Sequence, residues 1–132
     1  MHGFHGHIES DTLANTDFRR VLYTGKHSQL VLMSLAPNEE IGSEVHSDID
    51  QFFRFESGTG KVVIDGVETE VTDGDAVIVP AGAEHNVINT SDSETLKLYT
   101  IYSPPEHQDK TVRATKEEAM ANEEHFDGVT TE

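Results

Sequence analysis

Cysteine and tryptophan are absent from this chain, and basic residues are scarce: nine lysines and arginines stand against 25 aspartates and glutamates, a formal charge of −16. Without cysteine there can be no disulfide and no thiolate metal site. An acidic surface of this kind is unsuited to nucleic acid or anionic membrane. It reads as a solvated coat that keeps the chain soluble, with adaptation to high salt as the other reading of the same charge. No apolar run approaches the ~20 residues of a membrane span, and no signal-peptide pattern opens the chain. The expected location is therefore the cytoplasm. Hydrophobic residues make up 35% of 132 residues and are concentrated in the middle, enough for one domain with a single core.

Histidine and turn signals are what the chain has in quantity. Three of its eight histidines, His2, His5 and His7, fall in a glycine-rich opening with no steady period. That opening reads as an irregular arm whose metal affinity is incidental, since no carboxylate fixes the rings. Phe18 to Tyr23 is a candidate first strand that ties the arm down, so residues 1–27 are taken as arm plus first strand. Ser28 to Leu35 alternates as a strand, with Val31, Met33 and Leu35 on one face. Lys61–Ile64 and Val67–Thr72 flank Asp65-Gly66, a strong hairpin turn. Ala76–Val79 is rich in β-branched residues and reads as a buried strand. Leu96–Ser103 is a last long strand, stopped by Pro104-Pro105. Only 115–124 has helical character, with Thr115 and Glu118 at capping-box spacing, and the end of the chain reads as loose. Short strands punctuated every few residues predict an all-β, closed structure over 28–103, followed by an extension, 104–132, that carries the one helix.

Two stretches carry candidate chemistry. In GDAVIVPAGAEHNVIN, from Gly74 to Asn89, a Pro-x-Gly turn delivers His85 to the start of an extended segment. Alternation there puts His85, Val87 and Asn89 on one face. In GSEVHSDIDQFFRFESGTG, from Gly42 to Gly60, Glu44 and His46 share a face if the backbone is extended. Gln51, Phe53 and Phe55 share one side of the next strand, as the lining of a small barrel would. Asp50 competes with Gln51 as an oxygen donor if the loop bulges, and Asn89 reads as a turn-stabilising residue.

The spacing Gly74-x5-Pro80-x-Gly82-x2-His85-x3-Asn89 resembles the second motif of the cupin superfamily without a gap, and the earlier stretch resembles its first. By that alignment Glu44 stands where a histidine is usual and Gln51 where a glutamate is usual. The resemblance spans roughly residues 30 to 103. It implies a cupin-type antiparallel β-barrel, a double-stranded β-helix or jelly roll, frequently packed as a homodimer. It also implies one divalent metal held by Glu44, His46, Gln51 and His85. Two imidazoles and two oxygens suit iron, manganese, nickel, cobalt or zinc. The expected function is that of a metal-dependent enzyme on a small oxygen-rich substrate, an isomerase or O2-dependent dioxygenase with Glu44 moving the proton. The alternatives are a non-catalytic ligand-binding barrel and a sugar-phosphate isomerase-like activity, since short chains of this kind are often labelled mannose-6-phosphate isomerase-like. A phosphate would need an inward Arg or Lys. Arg54 faces away from Gln51 by parity, and no other basic residue has a clear inward placement.

Overall fold

A computed structural model describes all 132 residues. Ten strands form two antiparallel sheets: β1 (Arg19–Thr24), β2 (Gln29–Leu35), β3 (Glu44–Val45), β4 (Asp50–Ser57), β5 (Thr59–Ile64), β6 (Val67–Thr72), β7 (Ala76–Val79), β8 (Glu84–Asn89), β9 (Leu96–Ser103) and β10 (Val112–Arg113). The first sheet runs β10-β1-β2-β9-β4-β7 and the second β3-β8-β5-β6. One core joins them, with Val31, Met33, Phe53, Phe55 and Leu98 from the first sheet against Val62, Val71 and Val87 from the second. This is the expected jelly-roll barrel.

Strand parity explains which residues enter the core. In β2, Val31, Met33 and Leu35 are fully enclosed, and in β4 Gln51, Phe53 and Phe55 point inward together. Asp65 and Gly66 both have positive φ, 47° and 81°, as a two-residue hairpin turn between β5 and β6 requires. Ala76–Val79 departs from expectation. Only Val79 is enclosed and Ile78 is 65% exposed, because β7 pairs on one side only, with β4, and ends its sheet.

The two ends are more structured than their composition suggests. A helix, α1 (Ile8–Ala14), forms within the glycine–histidine arm and lies against β4 and β9. It covers a face of its own sheet rather than an exposed strand edge. The second helix, α2 (Lys116–Ala121), is shorter than expected. The Thr115 hydroxyl accepts from Glu118 N at 3.1 Å, and the Glu118 carboxylate accepts from Ala114 N at 3.2 Å. Glu123 and Glu124 fall beyond it. The last residues are not loose, since Thr131 N donates to Thr24 O at 2.9 Å and Thr24 N donates to Thr131 Oγ1 at 2.8 Å, which ties them to β1.

Candidate metal centre

The centre is built where β3 meets β8. Glu44 lies directly across from His85 in the antiparallel register. The two sequence motifs are joined again just beyond, where Gly82 N donates to His46 O at 2.9 Å. One ligand-type atom from each of Glu44, His46 and His85 can be chosen such that all lie within 4.8 Å of one another. The His46 and His85 rings are 5.4 Å apart, with Phe53 6.3 Å from His85 as an apolar floor.

Each donor is oriented by a second contact. His85 is 5% exposed, and its Nδ1–H donates to Ala83 O at 3.1 Å, which leaves Nε2 with a free lone pair. His46 has Glu44 Oε2 at 3.0 Å from Nε2 and Glu106 Oε2 at 3.7 Å from Nδ1. The Glu44 contact is too poorly aligned for a hydrogen bond, and His46 Nε2 is buried without a partner. Gln51 Nε2 donates to Thr100 Oγ1 at 3.0 Å, and Thr100 Oγ1 donates to Phe52 O at 2.8 Å. That chain fixes the amide's orientation and leaves Gln51 Oε1 buried and unpaired. Asp50 does not compete for this place. It is exposed, and its Oδ1 accepts from Ala81 N at 2.9 Å.

These orphaned atoms fit a cation. Buried polar groups are seldom left without partners, and here an imidazole nitrogen and an amide oxygen both are. His46 Nε2 and Glu44 Oε2, 3.0 Å apart, are close enough to ligate one cation together. Without one, the contact with Glu44 raises the His46 pKa above its ordinary value; burial opposes this and the Glu44 and Glu106 charges reinforce it. Burial raises Glu44, but the His46 contact and the charges of His46, Arg19 and His85 outweigh it, and the carboxyl lies below its ordinary value.

A cleft of about 110 Å³ opens beside Glu44, lined by Phe18, Arg19 and Ile41 on one side and by α2 with Glu106, His107 and Glu123–His125 on the other. The sequence indicated a helix here but not that residues 106–125 would wall a cleft, because they follow the last long strand and carry no ligand-type spacing. Sequence reading also missed Arg19, which is buried and lines the cleft, so an inward basic residue does exist. The available signal was parity, since Arg19 shares the inner face of β1 with Val21. Arg54 does face away, paired with Glu56 at 2.9 Å. Behind the centre, Tyr102 meets His107 Nε2 at 3.2 Å, and His107 Nδ1 meets Glu124 Oε1 at 3.2 Å. Burial pushes the Tyr102 phenol well above its ordinary value, so its proton is held. Asn89 makes no approach to the centre: its Nδ2 donates to Leu35, Ala36 and Glu94 carbonyls at 2.8–3.1 Å, which fixes the turn.

Similarity to known proteins follows the same lines. The family described as Cupin domain matches residues 31–102. An uncharacterized Bacillus subtilis protein, YrkC, is 46% identical over 123 residues, covering 89% of this chain and 66% of that protein. An uncharacterized protein of Acanthamoeba polyphaga mimivirus is 45% identical over 104 residues, covering 76% of this chain and 64% of the relative. The chain thus spans just under two thirds of the length of these curated relatives. A crystal structure of a Bacillus halodurans protein superimposes with a TM-score of 0.89 at 45% identity, covering 92% of this chain and 96% of that one. KdgF from Halomonas shares the fold alone, with a TM-score of 0.61 at 17% identity, covering 65% of this chain and 76% of that one. From motif spacing, sheet topology and these similarities together, the chain belongs to the cupin family.

Proposed function

We propose that this cupin holds one divalent transition metal through Glu44, His46, His85 and Gln51, and acts on a small oxygen-rich molecule by isomerisation or O2-dependent oxidation. The observation that carries the reading is the cluster of Glu44, His46 and His85, within which His46 Nε2 is buried without a hydrogen-bond partner. A divalent ion bound there supplies Lewis acidity for a bound oxygen atom and, for iron, manganese or cobalt, access to redox chemistry. The chain's own contribution is positional. Ala83 O holds His85 in one tautomer, and Thr100 holds the Gln51 amide. Phe53 keeps one side of the site apolar. Glu44, ionised and half-buried at the cleft, is the group that accepts a proton from a ligand. The sugar-phosphate alternative is disfavoured by Glu44, Glu106, Glu123 and Glu124 along the cleft, which repel a dianion.

The test is elemental analysis of protein prepared without affinity tag or chelator. One divalent transition metal per chain is expected, and its identity selects between isomerisation and oxidation. Metal-free protein that takes up no ion when supplied with each of the five would reject the reading.

One observation favours a second reading, a binding protein without turnover. The lowered pKa of Glu44 makes it a weak base, and Tyr102 and His107 already satisfy each other. Absence of turnover in metal-loaded protein that still binds small oxygen-bearing ligands would select it. In either case the protein is proposed as a cytoplasmic homodimer. Support for the dimer comes from exposed apolar residues on edge strands, Val45 on β3 and Ile78 on β7. A concentration-independent monomer mass by light scattering would remove that part.

A further inference from the structure

Arg19 is the one cation of the molecule that is both deeply buried and without a partner. Its residue is 8% exposed, its Nε is enclosed with no acceptor, and no carboxylate oxygen comes within 4.0 Å of the guanidinium. The guanidinium lies over the face of Phe18, 5.4 Å from the ring centroid, and its charge lowers Glu44 and Glu124 without an ion pair to either. An enclosed Nε–H without an acceptor is costly, the terminal nitrogens are not among the enclosed atoms, and the surroundings offer acceptors that are engaged elsewhere. Arg113, directly across from Arg19 on β10, takes Glu124 Oε2 at 3.5 Å, and His107 takes Glu124 Oε1 at 3.2 Å. Glu106 is held by His125 at 3.0 Å, and Glu44 by His46 at 3.0 Å. The five donors of Arg19 are therefore left for something that enters the cleft.

We propose that Arg19 anchors the carboxylate of a small monocarboxylic acid carrying a second oxygen on the neighbouring carbon, a 2-oxo or 2-hydroxy acid. The carboxylate lies against Arg19, and the second oxygen is directed toward the Glu44, His46 and His85 cluster. The second half of this statement rests on the metal-site reading above; the first half does not. Arg19 and Glu44 line the same cleft, and Glu44 is the member of the cluster that faces it. The volume of about 110 Å³ is enough for a compact acid. The planar fork of an arginine matches a carboxylate through two parallel hydrogen bonds. A monoanion is favoured over a phosphate dianion because Glu44, Glu106, Glu123 and Glu124 share the cleft, with Lys116 the only other aliphatic cation there. Phe18, Ile41, Ala119 and Met120 supply an apolar wall for the carbon chain.

The test is calorimetric titration of the full chain, metal-loaded and metal-stripped, with pyruvate, its neutral isostere pyruvamide, and inorganic phosphate. The parent is compared with Arg19→Lys and Arg19→Met. The parent is expected to bind pyruvate more tightly than either comparator. Arg19→Met is expected to lose pyruvate affinity by about 10–100-fold, the scale of a charge-assisted pair, with pyruvamide little changed and Arg19→Lys intermediate. Melting separates this from a structural role. Pyruvate is expected to raise the parent's melting temperature but not that of Arg19→Met, whatever the two ligand-free baselines. Equal pyruvate affinity in parent and Arg19→Met, no pyruvate binding by the parent, or tighter binding of phosphate would each overturn the proposal. Arg19-dependent pyruvate binding that is unaffected by metal would uphold the anchor and overturn the bridging role. Failure of the metal site itself shows separately, as unchanged metal affinity on replacing His85.

Discussion

At the scale of single residues, the four proposed ligands are not equivalent. His46 and His85 give nitrogen donors with fixed orientation, whereas Gln51 gives a neutral oxygen. Alanine at either histidine is expected to weaken metal binding far more than Gln51→Ala. Gln51→Glu is expected to tighten it, since a charged oxygen replaces an amide, but to destabilise the metal-free protein. The new carboxylate would be buried at a position 2% exposed, and Thr100 would have to give up Phe52 O to donate to it. Calorimetric affinity and metal-free melting temperature should therefore move in opposite directions, and a parallel shift would remove Gln51 from the ligand set. Protons compete for the same site. The His46 pKa is raised, so in metal-free protein its ion pair with Glu44 stabilises fully below the unfolded value of ~6.5 and is lost as pH rises through the folded value. Metal needs the neutral ring, so the stabilisation brought by added metal should grow over that same rise and vanish in acid. Melting with and without metal across neutral pH checks the sign. The grouping of Glu44, His46 and His85 was legible through the resemblance to two cupin motifs, with strand alternation and a Pro-x-Gly turn giving the faces. The unpaired state of Arg19 was not, since it depends on which carboxylates from 106–124 are already taken.

At the scale of elements, the strands and their faces follow from local pattern, and the departures have tertiary causes. β7 has a core-like composition yet ends a sheet, and composition cannot show a missing neighbour. α1 arises in a glycine–histidine segment with no side-chain cap, and helices so short owe their stability to what they pack on. β5 depends on close approach. A Cβ at Gly60 would come within 2.5 Å of Ile88 O and 2.9 Å of Leu96 Cδ2, so Gly60→Ala should cost about 1–3 kcal/mol or more in urea unfolding. A neutral result would mean that β5 and β8 are spaced more loosely than described. The wall after β9 is held by His107 between Tyr102 and Glu124. Burial depresses His107, and the contact with His107 carries Glu124 below its ordinary value against the effect of its own burial. Both contributions are complete above the unfolded values. The histidine's is lost as pH falls below ~6.5 and the glutamate's as it falls below ~4.3. Protection of amides in residues 106–125, taken relative to the intrinsic exchange rate at each pH, should therefore fall on acidification before that of β2 and β9, and simultaneous loss would contradict a separately held wall.

At the scale of the whole molecule, a formal charge of −16 surrounds the centre proposed to hold a cation. Self-repulsion should make stability rise as ionic strength increases from about 0.01 to 0.5 M, because exposed charges are screened over these lengths; melting temperatures in a neutral salt give the check. The same field favours cation uptake and opposes polyanions, which agrees with a centre that takes a metal and at most a small acid. The central claim is that β3 and β8 bring Glu44, His46 and His85 together to hold one ion. It is tested most directly by calorimetric titration of metal-stripped, tag-free parent and His85→Ala with a divalent transition metal. One tight site is expected in the parent and, in His85→Ala, weakening beyond the roughly 10–100-fold that loss of even an outer partner costs. Equal affinity in the two proteins would contradict it and would move the bound metal to His2, His5 and His7.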